Sequence, residues 1–195
     1  MSGPFKPAPH GGAALTLDSV EASILRSLTV QLLELIGPGD EPAADADPLA
    51  ALFAEGPSKA PQDPALARLF PDAYGEGPDA TDYDAAEYSA EFRRYTENDL
   101  RARKREDCLA LVRSLDRAPV GSQGDVELEL GADGCRSWLG ALNDLRLTLG
   151  TRLEITDDDG EALYQLPDDD PRKPQPMAYL WLGWLEESLL EVLMD

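Results

Sequence analysis

The segment Trp138–Leu153 constrains this chain more than any other. Trp138, Leu142, Leu145 and Leu149 recur at steps of three and four and stack on one side of a helix. Leu139 and Arg146 flank that stripe, while Leu147 points away from it. A helix with apolar residues on opposite sides has to be covered twice, which places it near the middle of a domain. Gly150 follows the last periodic residue, where a left-handed residue ends a helix at little steric cost. The segment therefore predicts a central helix that closes at Gly150.

The rest of the chain is arranged around it by the same signals. Residues 1–14 carry little to bury and read as a disordered N-terminal arm. Residues 15–195 read as a single helical domain. Asp18 with Glu21 makes a capping box for a helix running to Ile36, with Val20, Ile24, Leu28, Gln31 and Leu35 on one face. Leu25, Leu32 and Ile36 widen that face. Asp47-Pro48 and Asp63-Pro64 each give a cap followed by a proline at the first helical position. Asp84 to Leu115 is a long helical run, either one bent helix or two, with Thr96 to Asp99 placed to cap a second. Tyr88, Phe92 and Tyr95 start its apolar pattern, and Cys108, Leu111, Val112 and Leu115 resume it.

Val126, Leu128 and Leu130 alternate with Glu127 and Glu129, the period of a half-buried strand. Asp133 is placed to cap the central helix. Leu153 and Ile155 alternate as well, and Asp158-Asp159-Gly160 supplies a turn before a returning strand over Leu163 to Leu166. A final helix starts near Met177, with Trp181, Trp184, Leu185, Ser188 and Val192 on one face. The expected fold is mainly α: a multi-helix orthogonal bundle with one or two short β-strand pairs.

Net charge narrows the function classes. Among 195 residues, 38 acidic side chains against 17 Lys and Arg give a formal charge of −21. Phosphate binding rests on cations that release counterions, so this balance opposes broad contact with DNA or an anionic membrane. It favours a basic protein as partner. No apolar run approaches a membrane span, and Met1 to Gly12 lacks the apolar core of a signal peptide, which makes a cytoplasmic protein the expectation.

The chain offers little catalytic equipment. Its one histidine, His10, lies in the arm, so a Ser-His or Cys-His pair has no general base. Neither a phosphate loop nor a dinucleotide glycine fingerprint is present. The acidic runs 157–159 and 168–170 fail the calcium-loop spacing, since its first ligand would fall on Ile155 and its glutamate on Leu166. No metal, no cofactor and no enzyme activity are expected.

Two groups of side chains remain. Cys108 and Cys135 are either small buried hydrophobes or a redox pair. For the redox reading, the basic run before Cys108 and the helix N-terminus around Cys135 would each lower a thiol pKa. Arg93, Arg94, Arg101, Arg103, Lys104 and Arg105 oppose only Glu97 and Asp99 in their span, leaving a local net charge of +4. They form either a solvated face of i,i+4 pairs, such as Glu97 with Arg101, or a contact for a partner or nucleic acid. Arg146, at the edge of the central stripe, needs a carboxylate partner if buried.

Several stretches together resemble a known family. They are Trp138-Leu139, Ala141 to Leu147, Leu149 to Leu153, Leu69 to Tyr74, Glu91 to Thr96 and Tyr179 to Leu182. The family is actinobacterial, long known only as a domain of unknown function, and is described as oxidative-stress regulators of transcription. Trp138, Asn143, Arg146, Gly150 and Arg152 are its markers in this chain. The resemblance implies a non-enzymatic regulator whose partner is a sigma factor or RNA polymerase, with DNA present only within a complex. A homodimer stays open. The chain departs from the family in lacking a closely spaced cysteine pair, which weakens the redox part of that implication. The alternative is a structural or adaptor protein that binds a basic partner without a transcriptional role.

Overall fold

The computed structural model describes residues 3–37, 55–74, 82–121, 124–156, 167 and 169–194. In chain order the elements are β1 (Lys6–Ala8), β2 (Gly12–Leu17), α1 (Ser19–Ile36), α2 (Pro64–Leu69), α3 (Asp82–Arg117), β3 (Val126–Leu130), α4 (Ala132–Arg152) and α5 (Pro174–Met194). The protein is mainly helical, with one three-stranded antiparallel sheet in the order β1-β2-β3. The helix over 47–53 and the strand over 163–166 expected from the sequence lie outside the described residues.

Residues 3–14 of the N-terminal arm are ordered, contrary to the expected disorder. The inner face of β3 needs a cover, and β2 supplies it by pairing Ala13 with Leu130, Leu15 with Leu128 and Leu17 with Val126. All six of these side chains are buried. Gly12 lets the strands close, because a Cβ there would lie 2.3 Å from the Leu130 carbonyl oxygen. The β1–β2 turn is made by Pro9, His10 and Gly11, the last two in left-handed conformation with φ of 59° and 73°. Phe5 anchors the arm. It meets Trp138 edge-to-face with centroids 5.9 Å apart, and its N–H donates to Ser188 Oγ at 3.4 Å. The low apolar content of residues 1–14 conceals these few well-placed contacts.

α4 is the central helix, as its double-sided pattern requires. It packs against every other described helix and against β2 and β3. Trp138, Ala141 and Leu142 are fully buried, and Leu147 packs against the core from the other side. α4 does not end at Gly150. It continues to Arg152, where the Ile155 N–H donates to the Gly150 carbonyl and the Glu154 N–H to that of Thr151. This is a Schellman ending, with Glu154 in the left-handed position at φ 53°. Gly150 serves packing instead, since a Cβ there would lie 3.1 Å from the Tyr179 ring. Leu153 is therefore in a turn and not in a strand. The helix starts on Gly131 as N-cap, so Asp133 sits in the first turn and pairs with Arg136.

α1 carries the predicted capping box: Asp18 accepts from the Val20 and Glu21 N–H groups, and the Asp18 N–H donates to Glu21. Its buried line is Leu25, Thr29, Leu32 and Ile36, while Val20 and Ile24 stay largely in solvent. α2 starts as its Asp-Pro pair predicts, with Asp63 accepting from the Leu66 N–H. α5 begins at Pro174 and buries Leu182, Leu185, Ser188 and Leu189, leaving Trp184 partly exposed.

Candidate interaction surface

α3 is a single 36-residue helix with no break near Thr96. Its buried line is Ala85, Ser89, Arg93, Glu97, Cys108, Leu111 and Leu115, with Arg101 and Lys104 half-buried between. The N-terminal half of that line is thus small and charged. The aromatic residues sit elsewhere: Tyr88 is 59% exposed, Phe92 48% and Tyr95 62%. At about 100° per residue, the twenty steps from Tyr88 to Cys108 rotate the helix by roughly 200° beyond whole turns. The two apolar runs therefore occupy nearly opposite faces. The second does not continue the first.

Ion pairs hold this inverted half in place. Arg93, 4% exposed, donates to Glu97, to Asp72 at 2.8 Å and to the Phe70 carbonyl at 3.0 Å. Glu97 also accepts from Arg101, at 2.7 and 2.9 Å. Arg101 in turn donates to the Ile36 carbonyl at 2.7 Å and stacks over the Phe70 ring at 4.3 Å. Arg105 donates to the Gly37 carbonyl. Two guanidinium groups thus meet the free carbonyls at the C-terminus of α1, where the helix dipole favours cations. Lys104 crosses to α4 and meets Asp144 at 2.6 Å.

Four of the six clustered cations are accordingly turned inward. Arg94 stays partly exposed, 3.4 Å from Glu55 and with its guanidinium 5.2 Å from the Tyr95 ring. Arg103 is exposed and makes no ion pair with the described residues. The expected i,i+4 pair of Glu97 with Arg101 is present, and the pair of Arg93 with Glu97 joins it. Asp144, the partner that α4 brings to the cluster, was not singled out in the sequence. It follows a polar residue and precedes Leu145, and only the helix period would have turned it inward.

On the outer face, Tyr74 joins the stripe through edge-to-face contacts with Tyr88 and Phe92, at 6.1 and 6.2 Å. Ser89 fixes Tyr74 by accepting from its N–H and donating to its carbonyl, both at 3.0 Å. The result is an aromatic surface on a rigid helix, with Glu91, Asp99 and Glu106 exposed along the same face.

The cysteines are placed otherwise than the redox reading needs. Both are free and fully buried. Burial, with Asp144 and Asp107 nearby, pushes the Cys108 thiol up to about 12, outweighing Lys104 and Arg105. Burial raises Cys135 as well, against the backbone N–H groups of Ala13 and of Cys135 itself. The lowering expected from the basic run and the helix start is present but outweighed by burial at both thiols. Packing also separates the pair. Asp107 lies against Gly140 and Lys104 meets Asp144, so α3 and α4 run antiparallel with Cys108 near Gly140. Cys135 is offset by about 6 Å along the axis, before any separation between helices. That leaves little of the roughly 7 Å that a disulfide spans between Cα atoms.

Of the family markers, Trp138 is buried and its indole N–H donates to Ser114 Oγ at 2.9 Å. Arg146 pairs with Glu186 and lies 5.5 Å from the Tyr179 ring centroid, which ties α4 to α5. Asn143 and Arg152 are exposed. A cavity of about 300 Å³ between α1, α4 and α5 has leucines for half of its lining residues. Another of about 590 Å³ lies over the sheet beside the end of α3. Among the described residues, no group of His, Cys, Asp and Glu is arranged to hold a metal ion. No helix among them is long and apolar enough to cross a membrane.

The sequence model described as Domain of unknown function (DUF2017) matches residues 2–193. The chain belongs to this family. Among curated relatives of this DUF2017 chain are the "Oxidative stress regulator AosR" proteins of Mycobacterium bovis and Mycobacterium tuberculosis. Each is 33% identical over 181 residues, covering 89% of this chain and 78% of the relative. The "Putative oxidative stress regulator AosR" of Mycobacterium leprae is 33% identical over 183 residues, covering 89% and 79%. No solved structure matches.

Proposed function

We propose that this DUF2017 protein is a regulator of the oxidative-stress response that acts by binding a protein of the transcription machinery, a sigma factor or RNA polymerase. The orientation of α3 carries the reading. Four of its six clustered cations, Arg93, Arg101, Lys104 and Arg105, face inward onto carboxylates and carbonyls, while Tyr88, Phe92 and Tyr95 face solvent. A surface of that kind suits protein recognition, whereas phosphate contact depends on free Lys and Arg. The charge of −21 supports the same choice. The names of the mycobacterial relatives support the stress-response part.

In this reading regulation does not run through a Cys108–Cys135 switch, since both thiols are free and buried. Purified full-length protein, RNA polymerase and sigma factor, mixed with and without promoter DNA, test the proposal. Binding to polymerase or sigma factor, with no retention on DNA alone at physiological salt, is the expected result. Binding to naked DNA with a steep salt dependence contradicts it. Binding to neither, with unchanged transcripts in a peroxide-treated deletion strain, favours the adaptor reading.

A further inference from the structure

We infer that the outer face of α3 is the docking site for a basic amphipathic helix of the partner protein. The inference rests on the protein-partner reading above and specifies its surface. Tyr88, Phe92 and Tyr95 follow one another at i, i+4 and i+7, the spacing by which one helix receives another. All three are about half or more exposed. From Tyr88 to Asp99 the face runs about 16 Å, or three helical turns. Tyr74 broadens it at one side.

Charge selects the occupant. Glu91, Asp99 and Glu106 lie on the same face as the aromatic side chains and are exposed, outnumbering the one exposed cation there, Arg103. Neither Asp99 nor Glu106 forms an ion pair with the described residues. An acidic or neutral helix would leave these carboxylates opposed or desolvated without partners, which costs binding energy. A helix that alternates Arg or Lys with Leu-like side chains satisfies both features. Its apolar residues cover Phe92 and Tyr88, its cations reach the carboxylates, and a guanidinium has tyrosine faces on which to stack. The Arg94–Tyr95 stack, at 5.2 Å, shows this geometry already in use on the same surface. The stripe is also rigid before binding, since Arg93 and Ser89 fasten α3 and Tyr74 from behind, and that reduces the ordering cost of association.

The test uses the full-length protein and two synthetic helical peptides of equal positive charge, one of Arg and Leu, the other of Arg and Ser. Affinities are read by fluorescence anisotropy at about 0.15 M salt, where unspecific attraction to the acidic chain is damped. The double variant Tyr88→Ser/Phe92→Ser is expected to weaken the Arg/Leu peptide by about tenfold or more and to leave the Arg/Ser peptide unchanged. The reversal Glu91→Arg/Asp99→Arg is expected to weaken both. Circular dichroism checks that each variant keeps its helix content. A loss under about threefold for the Arg/Leu peptide in the double variant overturns the inference. So does a wild-type dimer in light scattering that the double variant abolishes, since the stripe would then be covered by a second copy. If the double variant still binds RNA polymerase as the wild type does, this surface is wrong while the protein-partner reading stands. If the wild type binds no transcription protein, that reading fails first.

Discussion

Lys104 Nζ lies 2.6 Å from Asp144 Oδ1, joining α3 to α4 across a contact where Asp144 is only 2% exposed. Burial is the largest influence on Asp144 and, with Asp107 nearby, lifts its carboxyl above the usual range in spite of the Lys104 ammonium. Truncating one partner strands the other. Lys104→Ala is expected to cost about 3 kcal/mol in urea unfolding, while Lys104→Met with Asp144→Leu is expected within about 1 kcal/mol of wild type. The pH dependence has a definite sign. A carboxyl that keeps its proton more tightly in the folded state contributes most below its ordinary value of 3.8 and loses that contribution as pH rises through the raised value. Carbon-detected NMR should place the Asp144 midpoint above 3.8, and a midpoint at or below it would refute the dominance of burial.

The thiols offer an independent check. With its pKa near 12, Cys108 ionises in only about one molecule in ten thousand at pH 8. Iodoacetamide should leave both cysteines of the folded protein largely unmodified over a period that fully labels them in urea. Non-reducing mass spectrometry after mild peroxide should find no Cys108–Cys135 link. A link formed in the folded protein would show that the packing of α3 on α4 differs from the one described.

Glu154 occupies a left-handed position that glycine adopts freely. Replacing it removes a steric cost of about 1 kcal/mol, so Glu154→Gly is expected to raise stability by up to that amount. Gly150→Ala, two residues before the true end of α4, should do the opposite, because its Cβ would crowd Tyr179 at 3.1 Å. A loss of about 1 kcal/mol is expected there, the crowding exceeding the gain in helix propensity. Thermal unfolding of the two variants separates the observed ending from one at Gly150, for which both signs would reverse.

Some of this architecture was legible in the sequence because single local rules decide it. The Asp18–Glu21 capping box, the Asp63-Pro64 start and the two-sided pattern of α4 each reflect contacts within a few residues. β1 and β2 were not legible. Their burial depends on β3, more than a hundred residues later, and the residues that satisfy it are small. Gly150 looked like a helix end because a glycine after an apolar stripe fits both a terminator and a close approach to a neighbour. α3 misled for a different reason. Two runs of correct helical spacing suggested one apolar face, although the residues between them rotate the second to the opposite side. In the basic cluster, the pair of Glu97 with Arg101 was visible from spacing. Its coupling to Asp72, Phe70 and the end of α1 was not, since those contacts exist only after folding.

The inversion of α3 underlies both the internal ion network and the exposed aromatic stripe, and two adjacent residues test it. Urea unfolding of Phe92→Ser and Arg93→Ala should be measured side by side. Arg93 is 4% exposed and bonded to Glu97, Asp72 and Phe70, so its truncation should cost about 3 kcal/mol. Phe92, 48% exposed and in edge-to-face contact with Tyr74, should cost less than about 1 kcal/mol. A larger loss from Phe92→Ser than from Arg93→Ala would mean that the aromatic face is buried and the charged face outward, and would contradict the account.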